Sequence, residues 1–384
     1  MTLATSEFIA GLNAAGIEFV AGVPDSLLRD ICAHITATFP PHRHVIATSE
    51  GAAIALAIGH YLGTGKPALV YMQNSGIGNA ANPLVSLADP LVYAIPLILM
   101  IGWRGEVNPS GIQVKDEPQH KQQGLITLSQ LKAMDIPYQI LNGLETSIVD
   151  TVQEAVAAAI RRSGPVALLV RKNVFSGFEA PRRSVDNTLL TREAAIGQVV
   201  ASLPEDALFV ATTGMASREL FELRKAAGCG HDHDFLTVGG MGHASQIAAG
   251  LAIARPDRLV VCVDGDGALL MHMGGLAISA DCPNLLHIVI NNAAHDSVGG
   301  QPTKGERLDF SRLAHDCGYA LSASVSTRAA IQSSLQSMLG KGISAFLEIR
   351  CKMGARPDLG RPTTTPVDNK LAFMTHCRAS RRGA

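Results

Sequence analysis

The sequence predicts an α/β protein of two doubly wound domains, each a mainly parallel sheet covered by helices on both faces. Three observations predict it. Short apolar, β-branched runs alternate with longer segments of helical period along the 384 residues. The runs are apolar throughout, as in LVVCV (259–263), which suits strands buried on both faces. The polar stretch 179–188, with Pro181 and paired arginines, follows neither period and splits the alternation into two sets.

The first set places strands at 18–23, 44–48, 68–72, 96–101 and 166–171. The second places them at 207–211, 235–238, 259–263, 286–290 and 345–349. Each set closes on a helix and then a strand ending in basic residues, SGPVALLVRK (163–172) and KGISAFLEIRCK (341–352), the ending of any α/β domain or of one plan used twice. The chain is long enough for two cores. The expected organisation is an N-terminal domain over 1–178, a linker over 179–188, a C-terminal domain over 189–360, and a polar, solvated tail over 361–384 that ends RASRRGA.

With 47% hydrophobic residues and a formal charge of -1, the composition offers no electrostatic basis for binding nucleic acid or an anionic membrane. Residues 1–10 lack a basic region followed by an apolar core, and the apolar stretch 91–103 is interrupted by Pro96 and falls short of the roughly 20 residues a bilayer requires. A soluble protein is expected. The seven cysteines are odd in number and lack CxxC spacing, which points to reduced thiols in a cytoplasm rather than a disulfide framework or zinc site.

The strongest local motif is LVVCV running into Asp264-Gly265-Asp266-Gly267, then a helix from about Ala268, then LLHIVI (285–290) ending at Asn291-Asn292. An acid and an amide thereby sit at the C-terminal ends of two parallel strands, the edge where open α/β sheets bind ligands. Gly265 and Gly267 let the backbone approach a diphosphate, and the helix beginning at Ala268 offers it free N–H groups. Asp266 and Asn292 are hard oxygen donors suited to Mg2+. A GDG turn alone is more often a simple tight turn, or the phosphate loop of a non-catalytic nucleotide-binding module. In the first half, Glu50 follows HVIAT (44–48) and opens the apolar segment GAAIALAIGHYL (51–62), where the helix dipole also favours an acid.

GDG followed at this distance by NN resembles the metal and diphosphate motif of thiamine-diphosphate enzymes. That resemblance implies a Mg2+ held by Asp266, Asn292 and the backbone carbonyl of Ala294. It implies that Glu50 bonds the aminopyrimidine ring and promotes formation of the reactive ylid. In TVGGMG (237–242), Met241 is the implied residue that bends the cofactor and Gly239 the implied carbonyl acceptor, although a Met between glycines also reads as packing. Gly214, in the loop Thr212-Thr213-Gly214, is a further expected cofactor contact.

Longer runs resemble the phosphonopyruvate decarboxylase family: GIEFVAGVPDSLLRD (16–30), YMQNSGIGNA (71–80), SLADP (86–90), IGWRGE (101–106), VKDEPQH (114–120), NNAAHDSVGGQPT (291–303) and DLGRPTTTP (358–366). The likeness covers nearly the whole chain, including the lack of a central third domain. The loop VNPSGIQ (107–113) is longer than the family pattern. The resemblance implies non-oxidative decarboxylation of 3-phosphonopyruvate to phosphonoacetaldehyde and carbon dioxide, through the ylid and an enamine, in phosphonate biosynthesis. It also implies a homodimer or larger assembly whose sites draw on two subunits.

A substrate with a carboxylate and a phosphonate calls for cations or clustered donors. Candidates are Asp25, Ser26, Arg104, Lys115 and His120 in the first domain, and His295 and Ser297 in the second. Each also reads as a surface charge or a locally bonded group, and Asp25 with Ser26 as the cap of a helix over 26–35. The alternatives are a sulfopyruvate decarboxylase and an inactive partner subunit, whose mark would be loss of Glu50 or of a metal ligand.

Overall fold

The structure is a computed structural model that describes residues 2–108, 110–178 and 185–378. The chain divides into two units, Met1–Arg183 and Ser184–Ala384. The division falls inside the stretch 179–188 expected as linker, of which 179–184 lie outside the described residues.

The first unit contains strands β1 (Leu3–Ala4), β2 (Val20–Gly22), β3 (His44–Ile46), β4 (Leu69–Gln73), β5 (Ile98–Gly102), β6 (Tyr138–Leu141), β7 (Val166–Val170) and β8 (Phe175–Ser176). Six of them form a parallel sheet in the order β3-β2-β4-β5-β7-β6, while β1 pairs with β8. Successive residues of a strand point to opposite faces. Leu69, Tyr71, Ile98 and Met100 therefore join one core, and Val70, Met72, Leu99 and Ile101 the other. Each such side chain taken from water contributes about 1.5–3 kcal/mol, which is why the runs are apolar at every position.

The second unit contains β9 (Leu208–Ala211), β10 (Asp234–Leu236), β11 (Val260–Gly265), β12 (Leu285–Asn291), β13 (Ala294–His295), β14 (Gln301–Pro302), β15 (Leu321–Val325) and β16 (Ala345–Arg350). Its parallel six-stranded sheet runs β10-β9-β11-β12-β16-β15, and β13 pairs antiparallel with β14. Numbered along the chain, both six-stranded sheets read second, first, third, fourth, sixth, fifth. The similar domain endings seen in the sequence thus belong to one strand plan used twice.

All ten expected strands are present. Two more, β6 and β15, occupy the same edge of each sheet. Their sequences, YQIL and LSASV, are largely half-buried or exposed and carry polar positions, so they lack the continuous apolar signature of the inner strands. The tail also differs from expectation. Instead of a solvated terminus, Pro366–Arg378 is a helix that buries Asn369, Phe373 and Cys377. Those positions recur every four residues on one face, a stripe too thin to stand out from a polar composition. Thr365 Oγ1 accepts from the Asp368 N–H (3.1 Å), and Phe373 packs on Phe235 with ring centroids 5.7 Å apart. Residues 379–384 lie outside the described residues. Among the described residues, no helix is long and apolar enough to cross a membrane.

Candidate active site

Parallel strands bring their C-terminal ends to one edge of each sheet, and most of the expected site residues follow such ends. In the first unit, Glu50 is the first residue of the helix Glu50–Thr64, buried at 6% exposure, with Ser49 at the N-cap accepting from the Ala52 N–H (3.3 Å). Asn79 Nδ2 donates to Glu50 Oε2 (2.8 Å) and fixes the carboxyl. A Cβ on Gly76 would come within 2.6 Å of Glu50 Oε1, so a glycine is needed where the backbone passes.

Asp25 has no exposed surface; it accepts from Gln73 Nε2 (2.7 Å) and the Leu27 N–H (3.0 Å), and burial raises its pKa. Neither Asp25 nor Ser26 caps a helix over 26–35, because that helix is Arg29–Thr38, with Leu28 at its N-cap and no side-chain cap. Ser26 Oγ accepts instead from Arg104 Nη1 (2.8 Å). Arg104 also forks onto Asp116 through Nε (2.8 Å to Oδ2) and Nη2, and Asp116 accepts from the N–H groups of Gly105 (2.9 Å) and Glu117 (2.8 Å). Burial pushes the Asp116 carboxyl up, but the Arg104 guanidinium and these N–H groups outweigh it and hold it well below the usual carboxylate range.

Asn74 brackets the Arg104 backbone, accepting from its N–H (3.2 Å) and donating to its carbonyl (3.0 Å). Arg104 is thus a fixed and charge-matched group. Lys115 is exposed, and His120 is buried in the first turn of the helix Pro118–Ala133. The long loop closes as a hairpin, with Val107 bridged to Gln113 and Asn108 Oδ1 accepting from the Ser110 and Ile112 N–H groups (3.0 and 2.9 Å); Pro109 lies outside the described residues.

In the second unit, Gly265 ends β11 and Asp266 begins the short helix Asp266–Met271, which includes Gly267 and Ala268 and so starts two residues earlier than expected. Burial pushes the Asp266 carboxyl up to about 7 against the hydrogen bond it accepts from Thr303 Oγ1. Among the described residues no cation pairs with it. A Cβ on Gly305 would sit 2.6 Å from both Asp266 Oδ2 and Asn291 Oδ1, so the turn is closed around these oxygens. Ala293 takes a left-handed φ of 54°, and its carbonyl accepts from the Thr303 N–H (3.1 Å), tying the loop after β12 to the one that carries Asp266's partner.

Asn292 Nδ2 donates to Asp296 Oδ2 (2.6 Å), while its Oδ1 accepts from the Ala294 N–H (3.2 Å) and keeps a second lone pair. Asp296 Oδ2 is itself held by Arg192 Nη1 (2.7 Å) and the Gly354 N–H (2.9 Å), and Arg192 forks onto Glu219 (2.8 and 3.0 Å). Arg192 is buried, so this pairing leaves the Asn292 amide oriented by a fixed anion. His295 stands over Gly267, where a Cβ would lie 2.9 Å from its Cε1, and burial pushes its imidazole down to about 4 against the pull of Asp296. Ser297 is exposed beside Gly214, whose φ of 93° suits glycine. Gly239 and Met241 lie half-buried in the loop after β10.

The donor set of Asp266 carboxylate, Asn292 amide oxygen and Ala294 carbonyl suits a hard dication, and a buried carboxylate without a paired cation fits the same occupant. Sequence reasoning did not single out Asn79, Asp116, Asp296 and Thr303, although each stands inside a run quoted above. Arg192 carried no local signal, since its partner Asp296 lies 104 residues away.

Comparison with known proteins identifies the family. Residues 2–131 match the N-terminal TPP binding domain of thiamine pyrophosphate enzymes and residues 212–349 the C-terminal TPP binding domain. The chain is 33% identical to a phosphonopyruvate decarboxylase of Streptomyces viridochromogenes, over 97% of this chain and 94% of that protein. It is 34% identical to one from Streptomyces hygroscopicus, over 97% and 93%. A sulfopyruvate decarboxylase of Methanosarcina acetivorans is 26% identical over 89% of this chain and 90% of its own.

Proposed function

The chain belongs to the phosphonopyruvate decarboxylases among the thiamine pyrophosphate enzymes, and from that membership we propose that it converts 3-phosphonopyruvate to phosphonoacetaldehyde and carbon dioxide, in phosphonate biosynthesis, using thiamine diphosphate and Mg2+. The observation that carries the reading is Asp266, a carboxylate buried in the turn after β11 with its pKa pushed up to about 7 and no cation paired to it among the described residues. Asp266, Asn292 and the Ala294 carbonyl would hold the metal, and Gly265, Gly267 and Ala268 would line the diphosphate. Gly214, Gly239 and Met241 would contact the rest of the cofactor. Thiamine diphosphate, when bound, supplies the nucleophilic carbon and the electron sink for loss of carbon dioxide.

The protein's own part is to hold protons and charges in place. Glu50, steadied by Asn79, would bond the aminopyrimidine ring nitrogen through its carboxyl. Asp25, Ser26, Arg104, Lys115, His120, His295 and Ser297 are the candidate substrate contacts. Because Arg104 is matched by Asp116, it serves as a directional donor more than as a net charge, and the exposed Lys115, which has no ion pair among the described residues, is the cation nearest to it in sequence.

We also propose a homodimer or larger assembly, with Glu50 of one subunit serving the metal ligands of another as the family builds its sites. Exposed Leu91 and Tyr93 in the first unit, and Ile253 and Ile278 in the second, supply apolar surface for it. The seven cysteines, odd in number and without CxxC spacing, fit a reducing, cytoplasmic setting. The test is aldehyde formation from phosphonopyruvate, sulfopyruvate and pyruvate, each with and without thiamine diphosphate and Mg2+. Rapid cofactor-dependent turnover of phosphonopyruvate alone is expected. Preference for sulfopyruvate would move the chain to the sulfonate enzymes, and failure of all three with cofactor bound would sink the decarboxylase reading.

A further inference from the structure

The sequence HDHD, His231 to Asp234, leads into β10 at the edge of the sheet opposite the cofactor loops. The C-terminal helix Pro366–Arg378 is laid against that strand. Asn369 Nδ2 donates to the Asp234 carbonyl (2.8 Å), Asn369 Oδ1 accepts from the Leu236 N–H (3.1 Å), and Phe373 meets Phe235. This docking carries His376 to the HDHD segment. Asp232, His233 and His376 each present a ligand atom, and the three atoms lie within 4.8 Å of one another. His376 Nδ1 is 3.6 Å from Asp232 Oδ2, and the two imidazoles lie 3.8 Å apart between ring centroids.

We propose that Asp232, His233 and His376 form a second metal site, for a transition-metal dication such as Zn2+, that pins the C-terminal helix to the segment entering β10. Two imidazoles and one carboxylate favour Zn2+ over Mg2+, which prefers an all-oxygen shell, and three protein ligands leave a position for water. The residues are half-buried, so an ion can enter from solvent and is still partly shielded.

One neighbouring contact has to give way. The cation facing His376 is Arg258, whose Nη2 donates to its Nε2 (3.0 Å) and to the Asp206 carbonyl, with the Asp206 carboxylate 3.9 Å from Arg258 Nε. Asp234 is occupied by Arg224. With Nε2 accepting from Arg258, the ring proton sits on Nδ1. Ligation through Nδ1 shifts that proton to Nε2, and Arg258 then keeps its Asp206 partners alone.

The test uses the full chain loaded with thiamine diphosphate and excess Mg2+, so that the oxygen-donor site is filled, titrated with Co2+ as an optical stand-in for Zn2+. Intense visible bands that saturate at one equivalent, vanish on adding Zn2+ and are lost in His376→Gln and Asp232→Asn are expected. Zn2+ should also raise the thermal unfolding midpoint of the parent and leave both variants unmoved. A spectrum no stronger than aqueous Co2+, or bands that persist in both variants, would overturn the proposal. Either variant that unfolds is replaced in the comparison by His233→Gln, which lies off the helix.

Discussion

At the C-terminal edge of the first sheet, the arginine is closed onto an acid: Arg104 forks onto Asp116, Asp116 takes two further N–H donors, and the buried Asp25 and Glu50 rest on neutral donors, Gln73 with the Leu27 N–H and Asn79. At the same edge of the second sheet, built on the same strand order, Asp266 is buried with a hydroxyl for company, while Arg192 is spent on Glu219 and on Asp296, the partner of Asn292. An uncompensated buried carboxylate is costly, and it persists where an outside ion completes it. The difference teaches that one topology supplies two kinds of edge, one that pairs its arginine with an acid on the spot and one that leaves a buried carboxyl without a paired cation among the described residues, as the proposed metal would require.

Glu50 is the sharpest way to test the first half of that contrast. Glu50→Gln keeps the size and the Asn79 contact, so folding and cofactor binding should survive while turnover falls by about 10²–10⁴-fold, the range for removing a proton-handling group. Steady-state kinetics with saturating cofactor read it, and retained turnover would remove Glu50 from the chemistry. Asp266→Ala should do the reverse. Loss of a metal ligand is expected to weaken Mg2+-dependent thiamine diphosphate binding by more than about 100-fold, beyond what outer partners cost. Unchanged affinity in a titration would mean that the second edge does not wait for a metal.

A smaller effect tests how the open edge is kept in shape. Asp296 touches Asn292, Arg192 and Gly354 at once. Asp296→Asn preserves the volume but removes the anion that orients the Asn292 amide, and a roughly 10–100-fold loss of Mg2+ affinity is expected. If Mg2+ binding is unaffected while stability drops, Asp296 serves Arg192 alone.

Much of this contrast was legible in the sequence, and the gaps have physical causes. The inner strands announced themselves because both faces are buried, whereas β6 and β15, at an edge, are largely half-buried or exposed and lack that signature. Asp266 and Asn292 were visible because each follows an apolar strand at once. Arg192 was not, because a buried ion pair closing over 104 residues leaves no local pattern. The C-terminal helix was hidden by its composition: Asn369, Phe373 and Cys377 are its inward face, and one of them is polar.

The smallest predicted effect concerns the closed edge, where the pairing of Arg104 with Asp116 should appear as a pH-dependent share of stability. The Asp116 carboxyl is held below its usual range in the folded chain, so the stability it contributes is fully present above the ordinary carboxylate pKa and is lost as pH falls toward the folded value. Asp116→Asn removes that share. The cost at pH 7 should be about 1–2 kcal/mol, since the pair's side chains keep 16–17% exposure and solvent screens part of the attraction. At pH 3, where the unfolded chain's carboxyl is already protonated, the parent approaches the variant and the gap should narrow. Urea unfolding of both proteins at the two pH values decides it: a gap of the same size at pH 3 would mean that Asp116 acts through neutral hydrogen bonds, and the first edge would then be closed by geometry rather than by charge.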